Sequence, residues 1–442
     1  MSAIITNNYR ILNAEQFRSA FAPTSADSIY LGIARARPWT DEMSPDVPTD
    51  TFPQEATDFR EMLAMKRVSQ SDTTLAIPAH WWSINTTYDM YDDTDATLYD
   101  KSFFVITDTY DVYKCIYNGK SLANPSGVQS TVKPTGQLTT IFTTADGYQW
   151  KYMFTPSPAE VQKFMVKAAP DQLWIPVKRL TADDGSSQWD VQAAAINGGI
   201  HRIQLTNGGS GYSTPPTIQI TGDGVGATAS ATVLGGVITD IVITDPGTGY
   251  TFADVNITGS GTNGAARAII SPLGGHGKSA VEELGAWYFL ANVVLAYNEG
   301  GDFTVANEYR KILLIKNPLV YGTSTIGTAS TYSALTKIDV SSVTGGPFIA
   351  DEEVVQTSSG TKARVVEWDS TNSILYLNNV VGSFDTINTI TGLTSGAVAG
   401  GTIVKTNPEI QPSTGQILYK DYRRYINRAA DQRESLTIVV EN

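Results

Sequence analysis

The chain has 442 residues, 41% hydrophobic and 17% charged, which is enough apolar material for roughly two to four domains with surfaces that lean on Ser, Thr, Asn and Gly. A formal net charge of −13 argues against a phosphate-binding groove of clustered Lys and Arg and against anionic membrane surfaces, so neither nucleic acid nor a membrane is an expected partner. The single cysteine, Cys115, cannot form an intramolecular disulfide, and assembly in a reducing cytoplasm fits. Met1 to Arg10 has no apolar signal-like run, and no stretch nears the roughly 18 apolar residues of a membrane span, so export by the usual signal is not expected.

The opening segment mixes helix and strand signals. Asn13 with Gln16, Phe17 and Phe21 predicts a capped short helix, and Ile29, Leu31 and Ile33 at period two predict a strand. Asp58 with Glu61 predicts a second short helix running through Met62 and Met65. Phe103 to Ile106 and Val112 to Tyr117 read as a strand pair, and Tyr148 to Phe154 as a further strand. Ser157, Pro158 and Glu160 supply an N-cap, a first-turn proline and a capping-box acid for a helix over Val161, Phe164 and Met165. The pattern is α+β rather than repeating βαβ.

From about Ile196 the composition turns to Gly, Thr, Ile and Val, and a repeat begins. Ile203, Leu205, Thr206, Asn207, Gly209, Gly211 and Tyr212 recur at an offset of 38 as Ile241, Ile243, Thr244, Asp245, Gly247, Gly249 and Tyr250, with a slip to 37 at Ile220-Thr221-Gly222 and Ile257-Thr258-Gly259. Each unit reads as three strands joined by Gly turns. A second repeat, at an offset of 36, relates Phe348 and Ser359-Gly360 to Phe384 and Ser395-Gly396. The expected class is therefore α+β, predominantly β: a mixed scaffold of β-sandwich type (1–195, 273–334 and 405–442) carrying two inserted all-β duplicated modules, 196–272 and 335–404.

Chemical motifs are sparse. The acidic run Asp89, Asp92, Asp93, Asp95 and Asp100 fails the calcium-loop template: counted from Asp93, position six is Leu98 and position twelve is Phe104, where glycine and a bidentate acid belong. A polar turn with Asp caps is the simpler reading. Gly277-Lys278-Ser279 lacks the earlier glycine of a phosphate loop, since Pro272 stands there, and Ser279 with Glu282 reads as a helix start. His80, His201 and His276 lie in different segments with no acid or Cys at metal-ligand spacing, and no G-x-S-x-G elbow exists. No catalytic, cofactor-binding or metal residue is assigned, no cofactor is expected, and the chain reads as non-enzymatic. Trp39, Trp81, Trp82, Trp150 and Trp174 cluster in the scaffold, where they serve the core and possible subunit interfaces.

Several scaffold segments, in order, resemble the baseplate wedge subunits of T-even-type contractile-tailed bacteriophages, the gene-eight product family. They are Arg35 to Trp39 (RARPW), Ile77-Pro78 with Trp81, Val112-Tyr113-Lys114-Cys115, Asp146 to Phe154 (DGYQWKYMF), Ile315 to Leu319, and the tail from Ser413-Thr414-Gly415 to Ile438-Val439. The two Gly/Thr-rich modules have no counterpart expected in that family. The resemblance implies a structural subunit of the virion's tail baseplate, assembled in the host cytoplasm. It would form a homodimer and bind other baseplate wedge proteins, with no catalytic residues to carry over. The alternative is a carbohydrate-binding or carbohydrate-cleaving phage tail protein.

Overall fold

The computed structural model describes residues 3–165, 173–296, 299, 308–429 and 431–442. Strands dominate over a few short helices, so the class is α+β and predominantly β. Two compact units emerge, each assembled from separated parts of the chain: Met1–Glu15 with Thr74–Leu290 and Val439–Asn442, and Gln16–Thr73 with Ala291–Ile438. Each contains one duplicated module together with scaffold.

In the first unit a four-stranded antiparallel sheet runs Phe104–Ile106, Val112–Tyr117, Gln149–Phe154, Phe142–Thr143. Its apolar residues share one core with Leu75, Ile77, Ile175 and Val177 of a second strand pair, an arrangement of two sheets around one interior. Asp146-Gly147-Tyr148 makes the turn into Gln149–Phe154, and the chemistry of each residue explains its place. Asp146 accepts backbone N–H groups of Thr131 (2.7 Å), Val132 (2.9 Å) and Tyr148 (3.3 Å), while Gly147 sits at φ 88°, where a side chain would be strained. Tyr148 is fully buried and stacks on Trp150 at 5.3 Å. Ser157 caps helix Pro158–Phe164 through the expected capping box.

In the second unit a five-stranded sheet runs Thr331–Ser333, Met62–Arg67, Ile29–Ala34, Glu308–Lys316, Gln416–Asn427. All six residues of Ile29–Ala34 are buried, not every second one, because this strand is central to the sheet and covered on both faces. The helix expected from Asp58 instead ends there. Helix Phe52–Arg60 starts after Thr51 with Pro53 in its first turn, and Met62–Arg67 is a strand whose Met62 and Met65 fill the core beside Leu313 and Ile315. Likewise Asn13 is interior to helix Asn7–Ser19, whose start is held by Thr6 accepting the Tyr9 N–H. Of the expected scaffold segments, residues 1–2, 166–172, 297–298, 300–307 and 430 lie outside the described residues.

Both modules are two-fold duplications at the level of strand order. The first is a six-stranded sheet ordered Val237–Asp245, Thr228–Leu234, Thr217–Gly222, Ala253–Thr258, Thr262–Ile270, Ile200–Ser210. Exchanging the two repeats reverses this order onto itself, and the central pair Gln219↔Asn256 joins residues that are also equivalent at the offset of 37. The first strand of each repeat pairs with the third strand of the other, so neither repeat forms a sheet alone. The repeated turns match in detail: Gly209 and Gly247 have φ 61° and 59°, and their N–H groups bond the side chains of Asn207 and Asp245, each at 2.9 Å. Tyr212 and Tyr250 are both buried, accepting N–H bonds from Gly264 and Ala227 at 3.2 and 3.3 Å.

The second module closes into a barrel ordered Thr336–Thr344, Ile374–Val381, Thr361–Asp369, Glu353–Gln356, Ile390–Gly392, Val398–Thr406. Here Val355↔Thr391 joins residues equivalent at the offset of 36. Each module has a core made of its own residues. Each also enters and leaves by register partners, Ile200↔Ile270 in one and Lys337↔Thr406 in the other, so its ends lie side by side.

Candidate functional site

Three charged constellations stand out, one at the surface of the first unit and two buried, one in each unit. The acidic run from Asp89 is a clamp on the first module. Asp92 accepts Thr94 N–H (3.0 Å) and Asp95 accepts Thr97 N–H (2.9 Å), the Asx turns that the spacing suggests. The remaining oxygens of Asp92 and Asp93 pair with Arg267, which also bonds Gln204, and Asp93 accepts Ile270 N–H at 3.3 Å. Among the described residues no group of three or more His, Cys, Asp or Glu could hold a metal ion.

The buried cluster of the first unit contains two histidines that the sequence shows far apart. His201 comes from strand Ile200–Ser210 and His276 from the loop before Ser279; their rings lie 5.4 Å apart, and Tyr91 packs edge-on against His276 at 4.8 Å. Lys114 pairs with Glu283, over whose partner the Tyr91 ring lies 4.8 Å from the ammonium. Backbone N–H groups of Gly277 (2.8 and 3.0 Å) and Ser279 (3.1 Å) hold the Glu283 carboxylate. That is what Gly277-Lys278-Ser279 does here: its amides face a protein carboxylate. Burial pushes the Lys151 amine down to about 8, and burial with the Lys151 and Lys114 charges pushes the His201 imidazole down to about 4. His276, buried with its Nδ1 unpartnered among the described residues, is held well below its ordinary value, chiefly by burial. Lys114 and Glu283 are 0% and 3% exposed, so this is a polar joint and not a place where substrate arrives. His80 lies elsewhere, bonded to Ser102 at 3.2 Å.

In the second unit Arg35, from the RARPW run, reaches the second module by a two-pronged pair with Asp351, at 3.1 and 2.7 Å. Arg364 and Asn378 of the barrel both donate to the Arg35 carbonyl, and Asn378 also reaches the Glu61 carbonyl at 3.2 Å. Beside them Lys311 is 3% exposed at its side chain and donates to Asp58 (2.8 Å) and Glu61 (2.7 Å). These residues adjoin a cleft of about 520 Å³ lined by Arg37, Trp39, Gln54, Glu61, Lys311 and Tyr422. Trp39 stacks on Tyr422 at 5.7 Å and gives its N–H to the Arg423 carbonyl at 2.7 Å. Of the other scaffold tryptophans, Trp150 is fully buried and Trp81 is 41% exposed, edge-on to Tyr110.

The buried lysines had one signal in the sequence: Lys114 and Lys151 are flanked on both sides by apolar or aromatic strand residues, and Lys311 leads directly into the apolar run Ile312 to Ile315, where a cation requires a partner. The identity of the partner was not legible. No family model matches this chain, and no curated protein matches it.

Proposed function

We propose that this chain is a non-enzymatic structural subunit of a contractile-tail baseplate wedge, localised to the virion. It holds neighbouring wedge proteins by protein–protein contacts during assembly and contraction, and it acts as a homodimer. The observation that carries the reading is the way the modules are held. Each is joined to scaffold of its own unit by arginine–carboxylate pairs, Arg267 with Asp92 and Asp93, and Arg35 with Asp351. Such pairing suits a part that transmits force, because a module free to swing would absorb displacement instead of passing it on. The ordered scaffold resemblance supplies the specific setting, and it is analogy. Co-expression with the products of adjacent genes followed by size-exclusion chromatography tests it: co-elution as a complex is expected, and a chain that stays alone as a monomer overturns it.

The carbohydrate reading rests on the cleft beside Trp39 and Tyr422, where an aromatic pair adjoins two carboxylates. A glycan array and a reducing-sugar release assay separate the two. Specific glycan capture lost in Trp39→Ala, or turnover, favours the carbohydrate protein.

A further inference from the structure

Asp58 is fully buried, and its two oxygens are treated differently. Oδ1 receives three donors: Lys311 Nζ at 2.8 Å, Gln54 Nε2 at 3.0 Å and the Tyr422 hydroxyl at 2.6 Å. Oδ2 accepts no hydrogen bond among the described residues and has only the Lys420 ammonium nearby, at 3.3 Å. An ordinary ion pair does not need this asymmetry; acyl substitution does. One oxygen is polarised by fixed donors, as an oxyanion site requires, and the other is free to leave. Lys311 Nζ touches the carboxyl it would attack and, 2.7 Å away on its other side, the Glu61 carboxylate.

We propose that Lys311 and Asp58 join in an intramolecular isopeptide bond, with Glu61 moving the protons. Glu61 takes a proton from the Lys311 ammonium and passes it to Asp58 Oδ2. The freed amine attacks Asp58 Cγ, and negative charge collects on Oδ1 against the Tyr422 hydroxyl and the Gln54 amide. Collapse of this intermediate breaks the Cγ–Oδ2 bond. Oδ2 leaves as water carrying the two hydrogens the nitrogen has given up, and Glu61 ends as the carboxylate it began as. Nothing is oxidised or reduced. Burial keeps the Tyr422 hydroxyl protonated far above neutral pH, so it stays a donor throughout.

The other buried pair shows what is missing elsewhere. Glu283 beside Lys114 has both oxygens bonded by the Gly277 and Ser279 backbone, so neither is left without a donor, and among the described residues no second acid contacts the lysine. That pair lacks both the unbonded oxygen and the second acid that the proposed reaction uses. The Lys311–Asp58 bond would tie helix Phe52–Arg60 covalently to strand Glu308–Lys316, so the two could not separate under load.

The test is the intact mass of the full-length chain, denatured after purification, followed by proteolysis. Expected are a mass one water below that of the sequence and a branched peptide joining the segments around Asp58 and Lys311. Glu61→Gln and Lys311→Arg should restore the sequence mass, and Tyr422→Phe, which keeps the ring, should lower the linked fraction. A wild-type chain at full sequence mass overturns the proposal, as does a water lost within a linear peptide. A Glu61→Gln chain that still lacks one water overturns the role given to Glu61. Because the wild-type mass alone decides the bond, a variant that fails to fold leaves the result intact, and the outcome does not depend on whether the chain is a tail protein.

Discussion

In the barrel at 336–406 every strand has two hydrogen-bonded neighbours, whereas in the sheet at 200–270 Ile200–Ser210 and Val237–Asp245 remain edges. Those edges are brought together without forming a ladder. Ile200 N–H bonds the Pro246 carbonyl (2.8 Å), Tyr212 N–H bonds the Gly236 carbonyl (3.1 Å), and Arg202 crosses to Asp240 (2.7 Å). One duplication has closed completely and the other has curled until side chains and turn amides cover the gap. Both remove the exposed edge that would otherwise template aggregation. The difference predicts where each depends on its surroundings. The barrel's core is entirely its own, while the curled sheet lends Ile269 to the scaffold core of its unit.

The largest effect comes from excision. Replacing 196–272 or 335–404 by a short Gly/Ser bridge should leave a cooperative transition in circular dichroism in each case, because the ends are register partners. The melting temperature should fall further for the curled sheet, whose removal opens the core at Ile269 and strips Asp92 and Asp93 of Arg267. Loss of cooperativity in both variants would end the insertion account. Next, Arg364→Met leaves the Arg35 carbonyl and Glu61 short of a buried donor and should cost roughly 3–5 kcal/mol in denaturant unfolding, with the first unit's signal unchanged.

Acid should weaken the first unit through its buried histidines. Unfolded, His201 takes up its proton near 6.5; folded, only near 4. Its contribution is therefore complete above 6.5 and is lost as pH falls toward 4, up to about 3 kcal/mol. His276, also depressed, acts in the same direction. Melting curves at neutral and mildly acid pH should show the first unit weakening, and His201→Leu should flatten that slope. The smallest effect tests the internal symmetry: Tyr212→Phe and Tyr250→Phe each remove one hydroxyl acceptor and should cost about 1 kcal/mol apiece, equally. A large inequality would show that the two repeats are not equivalent in energy.

The repeats were legible in the sequence because turn chemistry is local: Asn207 with Gly209 and Asp245 with Gly247 write the same tight turn twice. Their interlocked pairing was not, since nothing in a repeat says whether its third strand returns to its own first strand or to its partner's. The Asp58–Met65 helix was misread because acid spacing resembled a cap, while Met62 and Met65 were claimed by a sheet whose other members lie far along the chain. The His201–His276 pair and the Arg35–Asp351 bridge depend on contacts between distant segments, which charge patterns along a sequence do not encode.

The proposed role, a structural tail subunit, is tested most directly by the protein composition of any phage particles produced from the genome in which the gene for this chain lies. The account predicts the chain in fixed stoichiometry in the baseplate fraction, retained when tails contract. Its absence from the particle, or its release as a free active enzyme, would contradict it.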